Sequence, residues 1–426
     1  MSEYPQVLFK NRVPGETVLI DGYRTTGGYT ALEKAFKELD PATIRDQVKR
    51  ANLRGRGGAG FPTGIKWSFF PADQPGEKYL VCNCDEMEPG TYKDRELLKA
   101  DPHQLIEGVI IAAFALQTPV AYIFIRYAFE DCAANLDRAV AEAAAAGYLG
   151  KNILGSGFDC EIHVHRSAGR YILGEETALL NGLEGKRPNP RSKPPFPAVR
   201  GLFGQPTTVN NVETLANVPH IINHGAEWFK GLARTLEGAG TKLFGLSGHL
   251  ERTACFELPV GILLREVVEE VGGGVRGGRT FKACLPGGAS TPYLTAAQLD
   301  TPLDFEPLEA VGSRFGTAGV TVFDDTTCMV AATLNLIRFF ARESCGWCTP
   351  CRDGLPVVAW LLDKIEAGKA TFDDIDMLKD QFRNISGRSF CALAEGAMGP
   401  VAGLLNHFEQ ELADHVIKGR CPLKKK

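Results

Sequence analysis

"PHQLIEGVIIAAFALQTPVAYIFIR", residues 102–126, is the most apolar stretch of the chain, and the way it divides decides the fold class. Glu107, Gln117 and Pro119 interrupt it, and its unbroken part is shorter than the roughly 20 residues that a membrane-spanning helix needs. It reads as a buried helix over 102–116, a turn at 117–119 and a strand over 121–126. Outward from it lie two more short strands rich in apolar, β-branched or aromatic residues, "YLVCNC" (79–84) and "EIHVHR" (161–166). A second long helix, "FEDCAANLDRAVAEAAAAG" (129–147), separates the last two strands. Strands alternating with helices imply βαβ units and a parallel sheet. Residues 1–235 are therefore expected to form one Rossmann-like α/β domain. Within it, "TALEKAFKELDPATIRDQVKRAN" (30–52) has helical spacing and runs into the glycine-dense "LRGRGGAGFPTGIKW".

The rhythm then changes. "TKLFGLSG" and "CFELPV" predict a hairpin, "LLREVVEEVGG" a helix, and "FKACLPGG" and "GVTVFDD" further strands, a small α+β unit of the ubiquitin-like (β-grasp) type over 236–326. After Thr327 only helical periodicity remains, and four helices predict an all-α four-helix bundle over 327–426.

With 426 residues, 44% of them apolar, 23% charged and a net charge of −4, the chain is an ordinary globular protein with no electrostatic footprint for nucleic acid. The amino terminus lacks the apolar stretch of a secretory signal, so a soluble intracellular protein without direct membrane insertion is expected. In such a chain the 12 cysteines point to reduced thiols and metal ligation rather than to a disulfide framework.

"ESCGWCTPCR" (343–352) spaces Cys345, Cys348 and Cys351 three apart. Structural zinc sites usually use two separated pairs, whereas this run opens an iron–sulfur motif. The ferredoxin pattern would place a fourth cysteine at 355, which is Leu355 here. Cys82, Cys132, Cys160 and Cys255 lie in apparent strands or a helix, where buried thiols are ordinary fillers, and Cys421 lies in the basic tail. Cys391, in the loop "GRSFCALAEG", is the expected fourth ligand. The alternatives are a structural zinc and metal-free thiols.

"GRGGAG" (55–60) matches G-x-G-x-x-G, but a helix precedes it where the dinucleotide fingerprint requires a strand. Its backbone N–H groups can still approach a phosphate or a planar ring, with Arg56 and Lys66 supplying positive charge; a merely flexible loop is the alternative. Ligands of parallel sheets bind beyond the carboxyl ends of strands. Asn83, Asp85, Glu86 and Glu88, which lie at or just after the end of the strand at 79–84, are thus placed for ribose hydroxyls or a nicotinamide amide, and their charge would disfavour an extra 2′-phosphate. A solvated acidic loop is the bland reading. Glu175 and Glu176 open a helix, where acids are favoured anyway. Asn210 with Glu213 reads as a capping box, and that helix start could equally hold phosphate through Asn210, Asn211 and Thr214. In the proline-stiffened "KRPNPRSKPPFPA", Lys193 and Phe196 could face an adenine ring.

Taken in order, "GRGGAGFPTGIKWSF", "DEMEPGTYKDR", "GEETALLNGLEGKRPNPR", "PTTVNNVETLANVP" and "ESCGWCTPCRDG" resemble the NADH-binding flavoprotein, or F subunit, of bacterial respiratory complex I, over nearly the whole chain. The resemblance implies FMN, substrate NADH/NAD+ and one [4Fe–4S] cluster, with hydride transfer from NADH to FMN and single electrons passed to the cluster. It implies FMN contacts from Arg56, Gly57, Gly58, Ala59, Gly60 and Lys66, from Asn83, Asp85 and Glu86, from Tyr171, Gly174 and Glu175, and from Asn210, Asn211 and Thr214. Phe61, Phe69 and Phe196 match adenine-holding aromatics, Glu176 and Lys193 other NADH contacts, and Glu88 a nicotinamide-positioning residue. Cys345, Cys348, Cys351 and Cys391 match the cluster ligands. The family implies as partners a thioredoxin-like [2Fe–2S] protein, the E subunit, and a large multi-cluster iron–sulfur protein, the G subunit, in the cytoplasmic peripheral arm of an inner-membrane complex. Relatives usually carry Ala at Cys84 and Cys at Leu173. Diaphorase components of NAD-linked hydrogenases or formate dehydrogenases share these motifs, and a nucleotide-binding protein with a zinc knot is a rival of another class.

Overall fold

The computed structural model describes residues 4–424. Its first sheet contains β1 (Tyr79–Cys84), β2 (Val120–Ile125), β3 (Glu161–Arg166) and β4 (Thr207–Asn211), all parallel, in the order β3-β2-β1-β4. The expected strands are present, with helices Pro102–Leu116 and Glu130–Ala145 between them. β4 is additional. The sequence suggested a helix start there, because Thr and Asn dominate the strand, yet Thr207, Thr208, Val209 and Asn210 are buried.

Helix Pro102–Leu116 is buried on almost every side, and its polar interruptions are satisfied. Glu107 accepts the Tyr23 hydroxyl (2.5 Å) and the N–H groups of Tyr29 and Leu32 (3.0 Å each). Gly108 lets the crossing helix Val212–Ala216 come close, since a Cβ there would run into the Leu215 carbonyl. This contact fixes the helix that follows β4. The predicted helix over 30–52 is two, Thr30–Glu38 and Pro41–Arg50. The break is local: Asp40 caps the second helix by accepting from Thr43 N, and Pro41 occupies its first turn.

A second sheet has the order β6-β5-β9-β7-β8, from β5 (Thr241–Gly248), β6 (Cys255–Pro259), β7 (Phe281–Leu285), β8 (Leu294–Thr295) and β9 (Gly319–Asp324). β5 and β6 form the expected hairpin, β5 and β9 are parallel, and the predicted helix between hairpin and β7 is a short α-helical turn that continues as a π-turn over Val267–Val271.

Beyond Thr327 the chain is helical: Met329–Glu343, Thr349–Arg352, Gly354–Glu366, Phe372–Ile385, Ala392–His407 and Glu409–Lys418. The last predicted helix is thus two, parted at Phe408. One core joins these helices to Ile172 and Ala178 of the first region and to Ala283 and Leu285 of the second sheet. Among the described residues no helix is long and apolar enough to cross a membrane.

Candidate flavin and cluster site

The order β3-β2-β1-β4 reverses direction at β1, so the carboxyl ends of β1 and β4 flank a topological switch point, where open α/β sheets bind ligands. The glycine loop folds over this point. Gly55 N donates to Phe61 O (2.9 Å), closing the loop on itself, and Arg56 N donates to Thr214 Oγ1 (2.8 Å), anchoring it to the helix after β4. Gly57 lies against Asn211, whose Cβ is 3.2 Å from where a Cβ of its own would be. Gly60 has φ +67° and a Cβ there would enter the Phe305 ring, so bare backbone is required at that turn.

Arg56 does not offer its charge to the loop. Its guanidinium is buried, with Nη2 donating to Ala239 O (2.7 Å) and Nε without a partner. The available cation is Lys66, half-buried, which binds Val209 O and Glu176 Oε1 at 2.7 Å each. Lys193 lies 3.3 Å from Glu175 and 3.6 Å from Glu176, so two lysines and two glutamates gather at the amino end of helix Glu176–Leu183. Glu175 is the cap of that helix, accepting from Thr177 N and Ala178 N. Phe61, Phe69 and Phe196 stand 49%, 65% and 58% exposed, the accessible faces that stacking requires.

The acids after β1 divide into roles that the sequence did not separate. Glu86 is buried and both its oxygens accept from the N–H groups of Asp94 (3.0 Å) and Arg95 (3.1 Å), so it serves as a helix cap; burial, with Asp94 beside it, pushes its carboxyl up to about 7. Asp85 accepts from Ser167 Oγ through one oxygen while Oδ2 is buried and unpartnered, and burial pushes this carboxyl up to about 7. Asn83 Nδ2 donates to Gly174 O (3.0 Å). Glu88 accepts from the Tyr171 hydroxyl (2.5 Å) and from Ser290 N (2.7 Å). Asp85 Oδ2 is a buried oxygen without a partner and the glycine loop offers bare backbone; donor and acceptor groups of this kind suit the polar edge of a planar ring and a phosphate, and the residues present thus fit FMN.

At β4, Asn210 accepts from Trp67 Nε1 (3.0 Å), and the helix cap is Asn211, one residue later than expected, accepting from Glu213 N. No capping box forms. Glu213 points instead into a buried ion network, 2.8 Å from Lys93 Nζ and 3.6 Å from Lys242 Nζ, and receives Leu243 N (3.0 Å). Lys93 also pairs with Asp94 (2.6 Å), whose other oxygen accepts from Asn211 Nδ2 (2.7 Å). The buried ion network of Lys93, Glu213 and Lys242 was not legible in the sequence, which offered Glu213 only as a capping partner, since these three residues are remote from one another in the chain. Cys84 alternates with Asn83 and points into the core with Leu80 and Cys82, on the sheet face opposite Asn83. Leu173 packs with Val81, Leu179 and Leu180.

The four cysteines of the predicted cluster converge. Cys345 follows the helix Met329–Glu343, Cys348 caps Thr349–Arg352, and Cys391 caps Ala392–His407. Phe390 N donates to Cys348 Sγ (3.4 Å), which brings the 389–391 loop onto the triple-cysteine run. Burial pushes Cys351 and Cys391 up to about 11, and the neighbouring cluster thiols add to both shifts. Ligation of such thiols is coupled to proton release. The segment Tyr171–Gly174 lies between this site and the crevice: Gly174 receives Asn83, while Tyr171 N donates to Glu343 Oε2 (2.9 Å) and its ring meets Phe339 and Phe340 edge-on.

A parallel-sheet switch point separated by one short segment from a four-thiol site defines a flavin- and iron–sulfur-dependent electron-transfer protein. Known proteins agree: residues 48–220 match the Nuo51 FMN-binding domain, and residues 331–415 match the NADH-ubiquinone oxidoreductase-F iron-sulfur binding region. An F subunit (F 2) of the NADH-quinone oxidoreductase of Rhizobium meliloti (strain 1021) is 49% identical, covering 98% of this chain and 99% of its own. The F subunit of the Escherichia coli (strain K12) enzyme is 52% identical, over 93% and 89%. The crystal structure of NAD+-reducing [NiFe]-hydrogenase in the H2-reduced state matches with a TM-score of 0.84 at 37% identity, covering 94% of this chain and 67% of that one. The chain belongs to the family of NADH-quinone oxidoreductase F subunits.

Proposed function

We propose that FMN occupies the crevice between β1 and β4, that NADH lies over it, and that electrons leave past Tyr171 toward Cys345, Cys348, Cys351 and Cys391. The chain is the NADH-oxidising electron-input subunit of NADH:quinone oxidoreductase, with FMN and a [4Fe–4S] cluster as cofactors. When bound, FMN accepts the electron pair of NADH as a hydride and releases it in single steps that the cluster can take up. The protein binds and orients. Gly57 to Gly60 present backbone donors, and Phe61, Phe69 and Phe196 give stacking faces for adenine. Lys193 and Glu176 hold a polar part of the dinucleotide, and Glu88, pinned by Tyr171 and Ser290, fixes the nicotinamide side. Hydride transfer requires no acid–base residue, so orientation and electrostatics are what the residues supply.

We divide the chain into an FMN- and NADH-binding domain (1–235), a ubiquitin-like β-grasp domain (236–326) and a helical bundle bearing the cluster (327–426). The hairpin, helical turn and returning strands of the second sheet support the β-grasp reading. Trp347 and Phe390, 57% and 41% exposed and in edge contact beside the cluster cysteines, support a docking face there for the thioredoxin-like [2Fe–2S] and large multi-cluster partners, in a peripheral arm on the cytoplasmic side. The match to an NAD+-reducing hydrogenase supports a second reading, a diaphorase component, which quinone reduction by membranes separates from the first.

The observation that carries the proposal is the Tyr171–Gly174 segment touching both sites. Cys348→Ala in the assembled enzyme is expected to abolish the cluster EPR signal and NADH:quinone activity while NADH:ferricyanide activity persists. Retention of quinone reduction would refute the route.

A further inference from the structure

A second constellation of metal-ligating side chains lies in the helical region, apart from the four cluster cysteines. Cys328, Glu366, His415 and Cys421 place one ligand atom each within 4.8 Å of all the others. Cys328 Sγ is 3.1 Å from Glu366 Oε2 and 3.4 Å from His415 Nε2, and those two atoms are 3.1 Å apart. Glu366, His415 and Cys421 are buried and Cys328 is half-buried. With Zn–S bonds of about 2.3 Å and Zn–N bonds of about 2.0 Å, a tetrahedral ion sets its ligand atoms roughly 3.3–3.8 Å apart, so the Cys328, Glu366 and His415 atoms need to move by only a few tenths of an ångström.

The surroundings are built as metal sites build them. His415 Nδ1 is 2.7 Å from Glu411 O, a carbonyl that can only accept, so Nδ1 carries a proton and Nε2 is the nitrogen that faces the other three, its own proton leaving when an ion binds. Glu366 turns Oε2 inward while Oε1 pairs with Lys424 Nζ (2.7 Å), whose charge offsets the excess negative charge of two thiolates and a carboxylate around a divalent ion. Cys328 caps helix Met329–Glu343, its Sγ accepting from Ala331 N (3.4 Å). Gly419 reverses the chain at a positive φ and its backbone lies against Gly368, bringing Cys421 back to the end of helix Gly354–Glu366.

We propose that Cys328, Glu366, His415 and Cys421 bind one zinc ion. Two thiolates and an imidazole select a borderline-soft metal over magnesium or calcium. Four protein ligands leave no open position, so the ion is structural. It staples the segment after β9, the ends of two bundle helices and the carboxyl-terminal turn.

Metal analysis of the purified, flavin-loaded chain is expected to give one zinc beside the four irons. Cys421→Ser and His415→Gln are each expected to retain less than about a tenth of an equivalent of zinc, with iron and flavin unchanged. Anomalous diffraction on either side of the zinc edge is expected to place a peak among the four ligand atoms. A chain with its full iron and no stoichiometric zinc overturns the proposal, as do variants that keep the zinc. If the variants lose iron as well, the wild-type anomalous peak decides alone: present, it supports the site; absent, it removes it.

Discussion

The Tyr171 hydroxyl donates to Glu88 Oε2 at 2.5 Å, joining the segment beside the cluster to the loop after β1. Ser290 N holds the other oxygen, so Glu88 has one orientation. Glu88→Gln keeps the shape and removes the charge. Its kcat/KM for NADH is expected to fall about tenfold, one lost charge-assisted contact. The NADH-to-NADPH preference is expected to stay unchanged, because the 2′-phosphate sits on the adenine ribose, at the far end of the dinucleotide from the nicotinamide that Glu88 positions. Steady-state kinetics with both nucleotides check this.

Gly60→Ala places a methyl group in the Phe305 ring at φ +67°. The loop must shift, at a cost of about 1–3 kcal/mol for the backbone strain alone. Flavin content after purification is expected to drop sharply while iron is retained, as absorbance and metal analysis will read.

Glu213→Gln removes the carboxylate shared by Lys93 and Lys242, both fully buried. Breaking such a pair costs about 3–5 kcal/mol, seen as a lower denaturant midpoint. Burial opposes the charged form of Glu213, but Lys242, Lys93 and Arg56 outweigh it and hold its carboxyl below the usual range. Its stabilising contribution is therefore present above the unfolded carboxyl pKa of about 4.3 and is lost as pH falls through the depressed folded value. The variant is expected to lack that acid-side loss.

Asp85 titrates in the opposite sense. Burial pushes its carboxyl up to about 7, so the folded chain keeps a proton that the unfolded chain releases. This group costs stability progressively from about pH 4 to about pH 7 and levels off above that. In flavin-free protein, Asp85→Asn is expected to lose less thermal stability than wild type between about pH 5 and about pH 7, which calorimetry at matched ionic strength will compare.

Local pattern made most of the chain legible. Strands at 79–84, 121–126 and 161–166, the helix at 102–116 and the hairpin after 241 appear where periodicity placed them, because alternation and helical spacing are set by residues two to four apart. The same holds for Cys345, Cys348 and Cys351. β4 was hidden because its Thr and Asn side chains are buried through remote partners, such as Trp67 for Asn210.

By itself, then, the sequence determined the alternating architecture, the glycine loop and the triple-cysteine run, all written in neighbouring residues. Tertiary structure alone decided the sheet order that opens the crevice between β1 and β4, and the inward turn of Arg56. It alone decided the commitment of Glu86 to a helix cap and the meeting of Cys328, Glu366, His415 and Cys421. The reason is common to all of them. A buried polar group must find a partner, and nothing in the local chain says which distant residue the packing will bring to it.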